Sequence, residues 1–551
     1  MGFGIRDSGE RVAASIVVFL VAAIAVAYAI DRAGFAISPV LVLAAALAAA
    51  TLAFLSWRAQ PCARGDTFAF VAVVAATLAY LVWLARPSLL PIGSGPDLTH
   101  HLMLVDYVER HWRLPHDPAL GAVMGEMADY TPGFHLLAAL AGAWTRTDGL
   151  HAAYPVVALT IALKAGFVFL IAMRLLPRRL FAVAAVVMLF APREYFLRSF
   201  TEHSFLAQVV SELFAVAMWW ALVVWDEQPS RAAMIFFAIA GVGAFLTWPV
   251  WVGPLALTLV VTVALRDGLS LRERLLSLTI AGTPVAAVAA VHAAGRVRAV
   301  GIAGTAGFVV WPSIAIFTWW FGVLACAGLI LAATNSRART IVWLAAAIAL
   351  QAAALFVVAK RSGADRPYLA LKMVYLAVYP LAIAAAIALT AVGRAFQARR
   401  GGGPERAALR QDAAWLVVTI IALVTARGAW KEPRPARVVS QPMYLAGRWA
   451  RENLPASCID YLVQDDDSAY WLHLAVLGNA RQTDRTRDPA TFEPKQALIR
   501  WIQTDGLPFA IADDFEALPK DIRTSVDVVR RFGPAAIVKR RGASTCSETN
   551  R

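Results

Sequence analysis

The sequence predicts an α-helical polytopic membrane protein with about 13 transmembrane helices and a small C-terminal α/β domain outside the membrane. Of its 551 residues, 59% are hydrophobic and 16% are charged, whereas soluble proteins are usually about 45–50% apolar. Runs of about 20 apolar residues, long enough to cross a hydrocarbon core of roughly 30 Å, recur as far as residue 428. The remainder has the mixed composition of a soluble domain. We therefore expect a transmembrane domain at 1–429 and an extracytoplasmic domain at 430–551.

The membrane-crossing segments are assigned from these apolar runs. They are predicted at 12–30, 38–57, 67–85, 152–173, 179–192, 205–225, 232–248, 250–265, 275–293, 312–333, 340–359, 374–392 and 413–428. The first is interpreted as a retained helix rather than a signal peptide, because it is long and has no clear small-residue cleavage site. The segment "TWPVWVGP" at 247–254 allows a second interpretation, a re-entrant hairpin, which changes the number of spans by two but not their sidedness.

The loops predict the orientation. With the N terminus inside, the inner loops are "WRAQPCARGD", "RLLPRR", "DEQPSR", "RDGLSLRER", "NSRART" and "GRAFQARRGGGPERAALRQD", and all of them carry arginine. This is the positive-inside pattern, so the net charge of +14 is assigned to membrane topology and not to nucleic-acid binding. An odd number of spans then places residues 430–551 outside. We expect the chain to be a multi-pass protein of the bacterial inner membrane.

A long outer loop at 86–151 concentrates titratable groups in "GPDLTHHLMLVDYVERHWRLP", residues 95–115. Pro96 favours a helix start, and Asp97 precedes His100 and His101 by three and four residues, so the three side chains share one side of a helix. A carboxylate and histidines so arranged could bind a divalent cation or share a proton. The alternative is that they are interfacial polar groups facing water. The end of this loop, 130–144, is interpreted as a helix in the membrane interface, anchored by Trp144.

The second outer loop, "APREYFLRSFTEHSFLAQ" at 191–208, lies at the mouth of the next span. It offers Arg193, Glu194, Arg198, Glu202 and His203. Glu202 and His203 could complete a site with Asp97. The alternative for each residue is a solvated helix cap.

A third outer loop, "KRSGADRPYLALK" at 360–372, carries four cations on the side where positive charge is disfavoured. They are Lys360, Arg361, Arg366 and Lys372. Phosphates are natural partners for such cations, since arginine binds phosphate in a bidentate manner. Ordinary anchoring to lipid head groups is the alternative.

One more charge, Lys164, lies in the middle of an apolar span, where insertion of a charge costs about 2.5–3.5 kcal/mol. Its side chain is expected either to face the protein interior or to snorkel towards the inner surface. The sequence contains no P-loop, GxSxG, CxxC or HExxH motif. These are motifs that ATP-driven transporters and soluble hydrolases usually carry, so the sequence does not favour either function.

Together these pieces resemble the GT-C superfamily of integral-membrane glycosyltransferases. The resemblance rests on an outer loop that opens with an acidic residue in "GPDLTHHLMLVDYVERHWRLP", on "DYTPGFHLLAAL" after it, and on "DRPYLALKMVYLAVYP" late in the membrane body. It covers most of residues 67–430. The sequence departs from the family in its two extra N-terminal spans and in "TPG" where members have a double proline. It also lacks the WWD motif of oligosaccharyltransferases, so that activity is not expected.

The resemblance implies transfer of a sugar from a polyprenyl-phosphate donor to a glycan, lipid or protein acceptor at the outer surface. Asp97 occupies the position of the acidic base, with Glu202 as a second catalytic candidate. The residues expected to bind the substrate are His100, Arg193, Arg198, Arg366, Tyr368 and Lys372. A divalent cation such as Mg²⁺ or Mn²⁺, held by Asp97 and His101 with His203 or Glu202, is an alternative source of charge, although many relatives act without a metal.

Two other functions fit the same features. A transporter or flippase of a polyprenyl-linked saccharide would use the outer cations and Lys164 as a path for the head group. A polysaccharide polymerase or ligase would share the transfer chemistry and differ in its acceptor.

The four cysteines bear on topology. Cys62 is predicted in an inner loop and Cys326 within a span, whereas Cys458 and Cys546 both fall in the outer domain. In an oxidising compartment these two could form a disulfide. The alternative is two unpaired thiols.

Overall fold

The computed structural model of the chain describes residues 4–57, 64–86, 88–93, 95–117, 120, 124–294, 309–398, 420–421, 423–425, 427–431, 434–435, 437, 439–455, 458–473, 494–503 and 507–543. Its membrane part is built from long helices joined by short helical turns. The long helices are α1 (Ser8–Arg32), α2 (Pro39–Ser56), α3 (Arg64–Ala85), α4 (Gly95–His111), α5 (Gly133–Thr145), α6 (Gly149–Leu175), α7 (Arg179–Leu189), α8 (Leu206–Glu227), α9 (Arg231–Thr247), α10 (Val252–Ala264), α11 (Leu271–Ala293), α12 (Trp319–Ala333), α13 (Arg339–Arg361) and α14 (Tyr368–Ala398).

The apolar helices agree closely with the predicted spans. Within the described ranges, α1, α2, α3, α6, α8, α11, α13 and α14 are long and apolar enough to cross a membrane. Four further predicted spans coincide with the shorter apolar helices α7, α9, α10 and α12. The last predicted span, 413–428, lies largely outside the described residues. The chain is a multi-pass membrane protein.

The segment "TWPVWVGP" forms a break between α9 and α10. Trp248 is extended, with φ −156° and ψ 95°, and a single 3-10 turn, Pro249–Trp251, follows it. Proline disfavours helical geometry in the residue before it and cannot donate a backbone hydrogen bond, so α9 ends at Thr247. Trp248 at this break is buried, and its ring lies against Tyr130.

Helix α5 is packed against protein along most of its length. The indole N–H of Trp144 donates to the carbonyl of Pro39 at 2.9 Å, and its ring contacts Phe19 at 5.7 Å. The tryptophan predicted to be an interface anchor therefore attaches α5 to the corner between α1 and α2.

Gly133, which begins α5, lies directly against the end of α9. A Cβ atom at this position would stand 2.9 Å from the carbonyl oxygen of Leu246, and the neighbouring Thr131 hydroxyl donates to the carbonyl of Thr247 at 2.8 Å. Only glycine allows two backbones to approach this closely. The segment "TPG", which stands where GT-C members have a double proline, therefore lies at a point where two backbones touch.

Lys164 faces the protein interior, which is one of the two predicted alternatives. Its Nζ lies 2.5 Å from Oε2 of Glu212 on α8, and the Tyr379 hydroxyl of α14 donates to the same oxygen at 2.5 Å. Gln208 donates to the other oxygen at 3.2 Å. The sequence did not identify Glu212 as the partner, since the two residues are far apart in the chain. The cluster connects α6, α8 and α14.

At the opposite end of the bundle, ion pairs join the predicted inner loops. Arg174 pairs with Glu10 and with Glu227, both at 2.5 Å, and Asp226 pairs with Arg339 at 2.7 Å. Arg174, Asp226, Glu227 and Arg339 line a cavity of about 780 Å³. The pairs hold together the ends of α1, α6, α8 and α13.

The C-terminal domain contains a four-stranded sheet flanked by helices, the α/β composition that the sequence predicts. Its elements are α15 (Gln441–Asn453), α16 (Pro494–Ile502), β1 (Ile459–Leu462), β2 (Phe509–Ala512), β3 (Val526–Phe532) and β4 (Ala535–Arg540). The strand order is β1-β2-β4-β3, with β1 parallel to β2 and the other pairs antiparallel. Strands β1, β2 and β4 lie in the apolar segments "SCIDYLVQ", "PFAIADD" and "AAIVKRR". Strand β3 was not predicted, because it is a mostly exposed edge strand rich in charge.

The domain docks on the face that carries the 86–151 loop. Arg451 of α15 pairs with Asp106 of α4 at 2.5 Å, and the hydroxyl of Tyr444 donates to Asp148. Burial raises the pKa of Asp148, but hydrogen bonds from His151 and Tyr444 outweigh that effect and lower the pKa to about 2. The carboxylate therefore stays charged and keeps both partners at neutral pH.

The cysteine environments are partly described. Cys458 is disulfide-bonded, and Cys326 of α12 is a free thiol. Cys62 and Cys546 lie outside the described residues, so the identity of the disulfide partner stays a prediction.

We predict that Lys164→Met destabilises the protein, because Glu212 would remain buried with an unpaired charge, at a cost of about 3–5 kcal/mol. Unfolding in detergent, followed by tryptophan fluorescence, should show a lower midpoint. Lys360→Met, at an exposed position, is the control. The double variant Lys164→Met, Glu212→Leu should recover much of the loss, and a wild-type midpoint for the single variant would contradict the role of the pair.

The cysteines allow a test of topology without substrate. In intact cells, a membrane-impermeant thiol reagent should label Cys458 and Cys546 only after reduction, and should not reach Cys62. In Cys458→Ser, Cys546 should be labelled without reduction. Labelling of Cys62 from outside would show that the orientation is the reverse of the predicted one. Labelling of Cys546 in unreduced wild-type protein would show that the predicted disulfide does not form.

Candidate active site

A small cavity of about 70 Å³ gathers polar groups at the face that carries the 86–151 loop. It lies where the first turns of α4, α8 and α14 meet the 3-10 turn Gly125–Ala128 and the break after α9. The lining residues are Asp97, His101, Glu126, Met127, Tyr130, Phe205, Gln208, Trp248, Tyr368 and Lys372. Most of the charged groups that line the larger cavity at the opposite end of the bundle are already held in ion pairs, so the smaller cavity is the better candidate for chemistry.

Helix α4 contributes Asp97 and His101. They are one turn apart, as the sequence spacing predicted, and both line the cavity. His101 is 5% exposed, and its Nδ1 lies 3.0 Å from Nε2 of His135 on α5. Burial lowers the pKa of His101 well below its usual value, so the ring is neutral at neutral pH. We assign His101 to fixing α4 against α5, which positions Asp97 at the cavity.

Helix α14 contributes Lys372, a cation enclosed by aromatic rings. Its Nζ lies 3.7 Å from the ring centre of Phe205, 4.3 Å from that of Tyr368 and 4.9 Å from that of Trp248. The side chain is 3% exposed. Asp97 and Glu126 are the cavity carboxylates whose charges act on it. Ring faces stabilise an ammonium group without neutralising it, so Lys372 can still interact with an anion in the cavity.

The second cavity carboxylate, Glu126, differs from Asp97 in its surroundings. Partial burial raises the pKa of Glu126, as does the charge of Asp97, while Lys372 lowers it. Two carboxylates near one cation resist simultaneous ionisation. Glu126 therefore holds a proton more readily than an exposed glutamate does.

The predicted residues of the second outer loop form a separate cluster beside the cavity. His203 lies 2.7 Å from Glu194, and Arg198 lies 3.4 Å from Glu194 and 3.5 Å from Glu202. Arg193 donates to the carbonyl of Gly428 at 3.0 Å. The side chain of Glu202 is 55% exposed, and this second catalytic candidate is not among the residues that line the cavity with Asp97.

The remaining predicted residues lie near the rim. Arg366 is exposed in the turn before α14, and His100 is partly buried beside Asp97, with a pKa that burial lowers. The suggested metal ligands Asp97, His101 and His203 are not brought together, because Glu194 engages His203 and His135 engages His101. Throughout the described part of the chain, no group of three His, Cys, Asp or Glu side chains is placed to hold a metal ion.

Sequence reasoning missed six of the ten residues that line the cavity. The missed residues are Glu126, Met127, Tyr130, Phe205, Gln208 and Trp248. Two of them had a signal: Gln208 is a polar residue at the start of an apolar span, and Trp248 precedes the helix-breaking Pro249. Neither signal indicates which other residues share the cavity.

Comparison with solved structures identifies the architecture. ArnT from Cupriavidus metallidurans, solved bound to undecaprenyl phosphate, is 18% identical, and the match covers 87% of this chain and 98% of ArnT with a TM-score of 0.53. The archaeal oligosaccharyltransferase AglB from Archaeoglobus fulgidus, solved with an inhibitory peptide and a dolichol-phosphate, is 14% identical over 82% of this chain and 70% of AglB, with a TM-score of 0.48.

The AglB score is too low to support an argument, so the conclusion rests on ArnT. No protein-family model and no curated protein matches the chain. The similarity to ArnT extends over nearly the whole of both chains. ArnT is a GT-C glycosyltransferase, and the chain therefore has the GT-C fold that its sequence predicted.

Proposed function

We propose that this protein transfers a sugar from a polyprenyl-phosphate donor to a hydroxyl group of a glycan, lipid or protein at the outer membrane surface. One observation carries the proposal: Asp97 and Lys372 line a single cavity. A carboxylate can take a proton from an acceptor, and a buried ammonium group can stabilise a leaving phosphate. Glycosyl transfer from a lipid phosphate needs both functions at one place.

The proposed reaction is a substitution at the anomeric carbon of the donor. Asp97 accepts the proton of the acceptor hydroxyl as the acceptor oxygen forms its bond to that carbon. The bond between the anomeric carbon and the phosphate oxygen breaks, and polyprenyl phosphate leaves with one more negative charge. Lys372 stabilises this charge, which develops only as the bond breaks, so its contribution is greatest in the transition state.

The low water content of the site strengthens this interaction. Lys372 is almost fully buried, and an ion pair between desolvated groups is stronger than one at an exposed surface. ArnT, which shares the fold, was solved with undecaprenyl phosphate. That ligand supports a lipid phosphate as the donor's leaving group here, with the lipid chain in the membrane and the sugar in the cavity.

The proposed location is the bacterial inner membrane with the C-terminal domain outside. The arginine-rich inner loops favour this orientation, and the domain docks on the same face as Asp97 through Arg451 and Asp106. Donor and acceptor would meet between the membrane surface and the domain. Hexosyl and pentosyl donors both remain candidates.

A transporter or flippase of the same lipid is the main alternative. It would translocate the donor without breaking the glycosidic bond. Mass spectrometry of lipid and acceptor after incubation with purified protein distinguishes the two, since only a transferase forms free polyprenyl phosphate together with a glycosylated acceptor.

We predict that Asp97→Asn lowers kcat by about 10²–10⁴-fold, because asparagine keeps the shape of the side chain but cannot accept the proton. Transfer should be measured with purified protein and a panel of polyprenyl-phosphate sugars. The exposed Asp365→Asn serves as the control. Wild-type turnover in a folded Asp97→Asn variant would show that Asp97 is not the base.

Lys372→Met should reduce kcat/KM for the donor by about 10²–10³-fold, since methionine fills the aromatic enclosure but carries no charge. Arg366→Ala, at the exposed rim, should have a smaller effect. Lys360→Met controls for loss of an outer cation in general. Equal kcat/KM in Lys372→Met and Lys360→Met would indicate that Lys372 has only a structural role.

A further inference from the structure

Gln208 lines the cavity and carries a buried acceptor that no described group of the protein uses. The side chain is 1% exposed, and its Oε1 has no hydrogen-bond partner among the described residues. A buried, unpaired carbonyl oxygen is costly in a folded protein. Its persistence in a cavity wall suggests that a ligand satisfies it.

The orientation of the Gln208 amide is fixed by its hydrogen bond to Glu212. The Gln208 Nε2 donates to Oε1 of Glu212 at 3.2 Å, while Lys164 and Tyr379 occupy the other carboxylate oxygen. An ionised carboxylate only accepts hydrogen bonds. Rotating the amide would place two oxygens against each other, so the carbonyl is held away from Glu212.

Trp248 supplies a complementary donor in the same cavity. It is 7% exposed, and its indole N–H also has no hydrogen-bond partner among the described residues. Its ring stacks obliquely against Tyr130, with ring centres 5.8 Å apart. The cavity therefore offers one neutral acceptor, one neutral donor and an aromatic surface beside the Lys372 cation.

We propose that Gln208 and Trp248 form a sugar-binding subsite, in which they hydrogen-bond the hydroxyl groups of the donor's glycosyl ring. A hydroxyl group both donates and accepts, so a sugar satisfies the Gln208 carbonyl and the Trp248 N–H, while aromatic rings pack against its C–H faces. The adjacent phosphate lies towards Lys372. This assignment rests on the proposed function and adds which residues select the sugar.

The test compares lipids with and without a sugar. Binding of undecaprenyl phosphate, and of undecaprenyl-phosphate sugars carrying one hexose or one pentose, is measured with purified protein. Gln208→Met and Trp248→Phe should each weaken binding of the better glycosylated lipid about tenfold, the value of one hydrogen bond. Neither variant should change the affinity for undecaprenyl phosphate itself.

Matched controls come from the same helix. Trp219→Phe also removes an unpartnered, buried indole N–H, but Trp219 lies on α8 outside the cavity. Gln228→Met changes an exposed glutamine at the other end of α8. Both controls should bind every lipid as the wild type does.

Two outcomes would overturn the subsite. One is equal affinity of the wild type for undecaprenyl phosphate and for both sugars. The other is loss of undecaprenyl phosphate binding in Gln208→Met that equals the loss of sugar-lipid binding. Failure of the proposed function would give a different result: the wild-type protein would bind the glycosylated lipid but would not transfer its sugar.

Discussion

The ion pair between Lys164 and Glu212 is the interaction on which the arrangement of the membrane core depends. An unpaired charge in an apolar interior costs about 2.5–3.5 kcal/mol, so the pair favours the register of α6 and α8 that joins these two residues. Tyr379 adds α14 to the same point. The first turns of α8 and α14, which carry Gln208 and Lys372, are thereby fixed relative to each other.

The two halves of the proposed chemistry come from differently supported parts of the protein. Lys372 belongs to a long helix buried in the bundle, whereas Asp97 belongs to α4, which is held by α5 below and by the C-terminal domain through Arg451. The leaving-group side of the cavity is therefore rigid. The base side depends on contacts that the soluble domain makes, which gives that domain a structural connection to the site.

The sequence was sufficient for the fold class and for the residues whose signal is local. Asp97 stands out because it begins a helix at the membrane surface, and Lys372 because it is a cation on the side where cations are disfavoured. Tyr368 precedes Lys372 by one helical turn. These three residues do share the cavity.

What the sequence could not supply depends on contacts between distant segments. Glu212 was invisible as a partner of Lys164, because nothing local indicates that α6 and α8 are neighbours. Glu202 was predicted from its place in the second outer loop, but its side chain is 55% exposed and lies 3.5 Å from Arg198. Strand β3 lacks an apolar alternation, since most of its side chains face solvent. Periodicity reveals burial within one element, but not which elements meet.

The contact at Gly133 has a consequence for how the cavity can open. The backbones of α5 and α9 touch there, and Thr131 donates to the carbonyl of Thr247, so a shift of α5 is coupled to the end of α9 and to Trp248, which follows it. The 86–151 loop and the wall of the cavity are therefore expected to move together. A substrate that enters beneath the loop would therefore also reshape the surface against which its sugar would rest.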